Sequence, residues 1–244
     1  MLIGEESENQ GDMNMKTLGL IGGTGWVSTA EYYRIINQQI NERLGGLSSA
    51  KILLYSVNQN DFKPPANAGE MGDFPGFLIS IARKLETAGA ECLLLCANTP
   101  HIAADLVQQN ISIPLIHIAD VTARAILKNK IRTIGLLGTM TTMEQPFYKD
   151  RLAKFGIATL VPEQLQREYI HRTIIAELEK PILKEETRKS YLEIIDAMVK
   201  KGAEGIVLGC TEIPLLIKQS DCTVPVFDTT ELHAMAAVEF ALSD

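Results

Sequence analysis

Basic residues are in short supply. Among 244 residues, 23 Lys and Arg face 30 Asp and Glu, a formal net charge of −7. No positive field is available to gather nucleic acid, so a nucleic-acid partner is disfavoured. Long apolar runs are missing as well. None approaches the ~18 residues of a membrane span, and the opening Met1-Leu-Ile-Gly-Glu-Glu-Ser is acidic where an export signal is basic and then apolar. The expectation is a cytoplasmic protein without membrane contact. Cys92, Cys96, Cys210 and Cys222 are the only cysteines, too dispersed for a disulfide scaffold and outside any Cys-x-x-Cys or paired-His spacing. Free thiols, no metal site and no cofactor are expected, since no pyridoxal-phosphate motif is present either. With 46% hydrophobic and 22% charged residues, the composition also excludes disordered and collagen-like chains.

What is present is an alternation of short apolar runs with longer amphipathic ones. Strands are expected at 17–21, 52–57, 92–95, 114–116, 133–137, 159–161, 206–208 and 225–227. Buried strands alternating with helices predict parallel sheets in an α/β architecture. Ser28-Thr-Ala-Glu31 and Asp228-Thr-Thr-Glu231 each set a capping oxygen three residues before a Glu and predict helix starts, the first helix running to about Arg43. The long connection 58–74 is a candidate lid over a site or an ordinary surface excursion. Residues 1–14 have no apolar periodicity and are expected to form a mobile extension.

The sequence also repeats itself. Lys16-Thr-Leu-Gly-Leu-Ile-Gly22 recurs as Arg132-Thr-Ile-Gly-Leu-Leu-Gly138, and Ile113-Pro-Leu-Ile116 as Val224-Pro-Val-Phe227. Between them, Gly89-Ala-Glu-Cys-Leu-Leu-Leu-Cys96 matches Gly202-Ala-Glu-Gly-Ile-Val-Leu-Gly-Cys210 once one residue is inserted. Three matches in one order predict two similar α/β lobes, 15–115 and 116–228, related by a pseudo-twofold axis with the active site in the cleft between them. The last helix, about 229–244, is expected to pack back on the first lobe. Ligands of open α/β sheets bind beyond the carboxyl ends of strands, where Cys96 and Cys210 both stand. A buried cysteine is ordinarily a small hydrophobe, and Cys92 and Cys222 are read so. Cys96 and Cys210 are each followed by polar, helix-starting residues, a setting that favours thiolate.

Leu20-Ile-Gly-Gly-Thr-Gly-Trp26, Cys96-Ala-Asn-Thr-Pro-His101 and Leu208-Gly-Cys-Thr-Glu-Ile213 together resemble the signature segments of the cofactor-independent aspartate/glutamate racemases, most of all the aspartate racemases. The resemblance runs from about Met15 to the C-terminus. It implies a homodimer that interconverts L- and D-aspartate, a small dicarboxylic amino acid, with Cys96 and Cys210 as the two bases on opposite faces of Cα. It further implies that Asn98, Thr99 and Thr211 line the reacting end, and that Lys180 meets the distal carboxylate.

Charge that builds up beside the substrate carboxylate needs preorganised donors. Gly23 and Thr24 in the first glycine turn, Thr139 and Thr142 in its repeat, and Asn58 at the end of the second strand are the candidates. Helix capping is the competing role for the two threonines of the repeat. Rival readings are glutamate racemase, hydantoin racemase or maleate isomerase chemistry, and a non-catalytic amino-acid-binding module. A nicotinamide site is weak, because the Gly-x-Gly-x-x-Gly order is absent.

Overall fold

The computed structural model describes residues 15–61, 72–180 and 182–244. The expected extension 1–14 and the middle of the expected lid, 62–71, lie outside the described residues.

The first sheet is built from β1 (Leu18–Gly22), β2 (Ile52–Ser56) and β3 (Cys92–Leu95), joined by α1 (Trp26–Leu44) and α2 (Phe74–Thr87). Its order is β2-β1-β3, all parallel. A 3-10 turn (Thr99–Ala103), α3 (Ala104–Gln108) and α4 (Ile118–Lys128) lead into the second sheet. There β4 (Thr133–Gly138), β5 (Ala158–Leu160), β6 (Gly205–Gly209) and β7 (Val226–Asp228) run parallel in the order β5-β4-β6-β7. Helices α5 (Met140–Glu144) and α6 (Pro146–Lys154) precede β5. Helices α7 (Gln164–Thr173) and α8 (Glu185–Lys200) precede β6. α9 (Ile213–Leu216) follows β6, and α10 (Thr229–Ala241) follows β7.

The central strands are apolar without interruption because both of their faces are covered, as parallel sheets require. Alternation along a strand assigns each residue a face. In β3, Leu93 and Leu95 pack with α2, whereas Cys92, Leu94 and the following Cys96 pack on the other face with α1 and α10. In β6, Ile206, Leu208 and the following Cys210 share one face with α8, and Val207 takes the other.

The two sheets repeat one register. Leu18 pairs with Cys92 and Ile21 with Leu95, and 116 residues on from β1, Ile134 pairs with Gly205 and Leu137 with Leu208. Equivalent glutamates brace the strand entries: Glu91 accepts from the Thr17 N–H at 2.6 Å, and Glu204 from the Thr133 N–H at 2.9 Å.

Two local expectations are corrected. α1 begins at Trp26, preceded by Gly25 in the left-handed region (φ 91°), and Ser28 lies inside the helix. Its hydroxyl does not cap; it donates to the Cys96 carbonyl at 2.8 Å, a tertiary partner that local sequence does not reveal. The expected strand 114–116 is reduced to one parallel bridge, Leu115 to Leu93. Asp228 does cap α10 as expected, accepting from the Thr230 and Glu231 N–H groups.

Candidate active site

Beyond the carboxyl ends of the central strands lies a cleft of about 180 Å³. That is below the roughly 300–1,000 Å³ of sites for drug-sized ligands and suits a small metabolite. The first sheet's side contributes Thr24, Gln59, Ala97, Asn98, Thr99 and Pro100. The second contributes Thr139, Thr141, His171, Ile175 and Glu179, with Gly209 to Glu212 closing the floor.

Cys210 is nearly buried, 9% exposed, and its thiol donates to Glu212 Oε2 at 2.9 Å. The Thr211 hydroxyl donates to the same oxygen at 2.9 Å. Burial first, and then the negative charge of Glu212, raise the Cys210 thiol well above its ordinary value. The sequence expectation of a resting thiolate is therefore corrected. Burial beside a carboxylate outweighs the N-terminus of the short α9, and Cys210 rests as a thiol hydrogen-bonded to Glu212. Glu179, half-buried, is also held above the usual carboxylate range, by burial and then by the charge of Glu212.

Two buried oxygens that belong to cleft residues, Thr24 Oγ1 and Asn98 Oδ1, have no partner among the described residues. Nearly all buried polar groups are paired, so each marks a place for ligand or water. The Asn98 amide is held in one orientation. Thr229 spends its hydroxyl proton on the Leu208 carbonyl at 2.8 Å and can only accept from Asn98 Nδ2 at 3.0 Å, which leaves Oδ1 as a free acceptor. Thr99 and Thr139 meet across the cleft at 3.5 Å, and Thr139 also caps α5 by accepting from the Thr142 N–H.

Several predicted site residues lie elsewhere. Cys96 is fully buried among apolar residues under α1 and α10 and does not line the cleft; its neighbour Ala97 does. Gly23 is buried behind the cleft and its N–H is taken by Thr29 Oγ1 at 2.8 Å, so it has no donor left for a substrate. Thr142 is fully buried behind Thr139. Asn58 is exposed and spends its side chain on the Asn60 N–H in a turn, while Gln59 reaches the cleft. Lys180 is exposed and outside the lining; Glu179 stands in its place.

Sequence reasoning missed His171, Ile175 and Glu179. Their signal is structural: a π-helical turn, Ile174–Leu178, extends α7, with Glu179 N–H bonding the Ile174 carbonyl at 2.9 Å. Such turns recur at functional sites. Among the described residues, no group of three or more His, Cys, Asp or Glu is arranged to hold a metal ion.

Two parallel α/β sheets with a thiol–carboxylate pair at the strand ends define an enzyme-like cleft for a small polar molecule. Residues 21–237 match the model of the Asp/Glu/hydantoin racemase family, and the chain belongs to that family. It is 46% identical to an Asp/Glu racemase structure from Yersinia pestis, over 94% of this chain and all of that one, with a TM-score of 0.88. To an aspartate racemase homologue from Pyrococcus horikoshii OT3 it is 37% identical, over 94% and 100% of the two chains, with a TM-score of 0.82. A broad-specificity amino-acid racemase of Bacillus subtilis is 22% identical over 93% of this chain and 98% of its own length.

Proposed function

We propose that the cleft binds aspartate and moves the proton at its α carbon, with Cys210 as the acid/base group and Glu212 as its proton acceptor. The observation that carries this reading is the 2.9 Å thiol–carboxylate hydrogen bond on the cleft floor. When Glu212 takes the thiol proton, the thiolate formed is a base for Cα–H. Asn98 Oδ1 is a free acceptor for the substrate ammonium. The hydroxyls of Thr24, Thr99 and Thr139 are donors for a carboxylate whose negative charge grows as the proton leaves. The similarity to the aspartate racemase homologue supports aspartate as the substrate.

A second reading, a neutral amino acid, is favoured by one observation. No Lys or Arg is among the described residues that line the cleft, whereas Glu179 and Glu212 are. Deuterium exchange at Cα in heavy water, measured for aspartate, glutamate and a neutral panel, separates the two. Aspartate is expected to exchange, and glutamate to do so roughly 10–200-fold more slowly, the discrimination one methylene allows. Cys210→Ser is expected to cut exchange by at least about 10²–10⁴-fold. Exchange of neutral amino acids alone would select the second reading. Absence of exchange from every substrate would sink both.

A further inference from the structure

The two lobes place different chemistry at equivalent points of the cleft. The Glu91–Thr17 and Glu204–Thr133 contacts tie Glu91 to Glu204 in the repeat. The strand registers then carry the match forward without a gap: Leu93 stands to Gly19 as Ile206 stands to Gly135, and Leu95 to Ile21 as Leu208 to Leu137. One step further Cys96 corresponds to Gly209, and two steps further Ala97 corresponds to Cys210. Burial gives the same answer independently. Cys210 shares a strand face with Ile206 and Leu208, whereas Cys96 lies at 0% exposure on the face opposite their counterparts Leu93 and Leu95, so alternation gives the Cys210 side to position 97. Ala97 and Cys210 both line the cleft, and Cys96 does not.

We propose that this is a one-thiol site, in which Cys210 serves one face of Cα and the equivalent position of the first lobe, Ala97, carries no thiol. The inference rests on the reading of Cys210 as the group that acts at Cα. Cys210 passes its proton to Glu212, and the thiolate takes Hα from the enantiomer that presents it. The carbanion then regains a proton from one of two sources. Return from the Cys210 thiol restores the same enantiomer. Inversion draws the proton from a water on the Ala97 face, and the hydroxide left behind is neutralised by the proton held on Cys210 or Glu212. Thr99 and Thr139 are the hydroxyls near that face, and a hydroxyl passes on a proton without being a base at neutral pH. Retentive exchange of a single enantiomer is therefore faster than inversion, and the opposite enantiomer exchanges poorly.

The test follows deuterium uptake and chirality together for each enantiomer of aspartate and of a neutral panel, in wild type, Ala97→Cys and Cys96→Ala. Wild type is expected to exchange one enantiomer with retention ahead of inversion. Ala97→Cys installs the missing thiol. It is expected to raise inversion relative to exchange by roughly 10²-fold, the scale of one positioned general acid, and to open exchange of the second enantiomer. Cys96→Ala is expected to leave both rates as they are. Equal exchange of both enantiomers in wild type, or loss of inversion in Cys96→Ala, would overturn the one-thiol site while leaving α-proton chemistry intact. If no substrate exchanges, the reading of Cys210 fails by itself, and a measurement without substrate still decides which thiols reach the cleft. Native protein treated with iodoacetamide at alkaline pH is expected to label Cys210 and to spare Cys96; label on Cys96 overturns the assignment.

Discussion

At Cys210 burial keeps the thiol neutral, and the proposed role of Glu212 is to take its proton through the hydrogen bond between them. The carboxylate also raises the thiol, because its charge opposes a second negative charge at 2.9 Å. Glu212→Gln separates the two effects. Removal of the charge lets Cys210 ionise at a lower pH, so the midpoint of its alkylation by iodoacetamide is expected to fall. Turnover is nevertheless expected to drop by about 10²–10⁴-fold, because the proton acceptor is gone. A Glu212 that only raised the thiol would give the lower midpoint with turnover kept or increased, and that outcome would remove it as the proton acceptor. The thiol pair shows what sequence reading can and cannot do at this scale. Cys210 stood out in Gly-Cys-Thr-Glu, but aligning Cys96 with it took an inserted residue that β3 does not contain. Cys92, Leu94 and Cys96 alternate onto one strand face, so the parity of the strand held the answer. Lys180, which the resemblance implies, and Asn58, a polar residue at a strand end, each lie one residue away from a residue that lines the cleft, Glu179 and Gln59. A single residue reverses direction in a strand and turns by 100° in a helix, which is below the resolution of motif spacing.

The elements themselves were legible wherever their physics is local. Uninterrupted apolar runs marked β1, β3, β4 and β6, and the Asp228 cap marked α10. The π-helical extension of α7 was not legible, because no residue type in Ile174–Leu178 marks such a turn. The turn between β1 and α1 is constrained by its backbone. Gly23 has φ 89°, and a Cβ there would lie 2.0 Å from the Val57 carbonyl oxygen at the end of β2. Neither atom can move, since the Val57 N–H holds the Gly22 carbonyl at 2.9 Å and Thr29 holds the Gly23 N–H. Gly23→Ala therefore combines a strained φ with a backbone clash. It is expected to destabilise the fold by at least about 3 kcal/mol, read as a lower urea midpoint at unchanged slope. Stability within about 0.5 kcal/mol of wild type would mean that the turn can relax, and that its glycine has another purpose.

Across the whole molecule the two sheets are joined by a buried histidine cluster, of which only His101 belongs to a motif of the sequence. His101 follows β3, His117 caps α4 and His233 lies on α10, with ring centroids 4.7 Å apart for His101–His117 and 5.6 Å for His101–His233. Their hydrogen bonds need neutral rings. His101 Nε2 accepts from the Ile118 N–H, so its Nδ1–H donates to the Ala97 carbonyl at 2.9 Å. His233 Nε2–H donates to the Ile116 carbonyl at 2.7 Å, and its Nδ1 accepts from the Tyr32 hydroxyl on α1. Burial is the largest cause in each case. It holds His233 down to about 4 and, with the Arg151 charge added and the Asp120 charge opposing, His117 to about 3, and it keeps His101 well below the ordinary range. In the unfolded chain each histidine titrates near ~6.5. Above that pH both states are unprotonated and the cluster adds no pH dependence. Between ~6.5 and ~4 the unfolded chain binds protons that the native state refuses, so stability falls as pH falls, by up to about 1.4 kcal/mol per pH unit for each histidine. Carboxylates paired in the native state add their own loss mainly below about pH 5, while Glu179 and Asp228, held above the usual carboxylate range, oppose the loss as they take up protons; the histidines are therefore read as the net fall between pH 6.5 and 5. The urea midpoint is expected to be level from pH 7.5 to 6.5 and to drop steeply by pH 5.5. His233→Gln offers an amide that can donate to Ile116 and accept from Tyr32 without titrating, and it is expected to lower the slope in that window by about one proton. A midpoint that stays level down to pH 5 in wild type would mean that water or rearrangement admits protons to the cluster, and that the junction between the sheets is looser than its packing indicates.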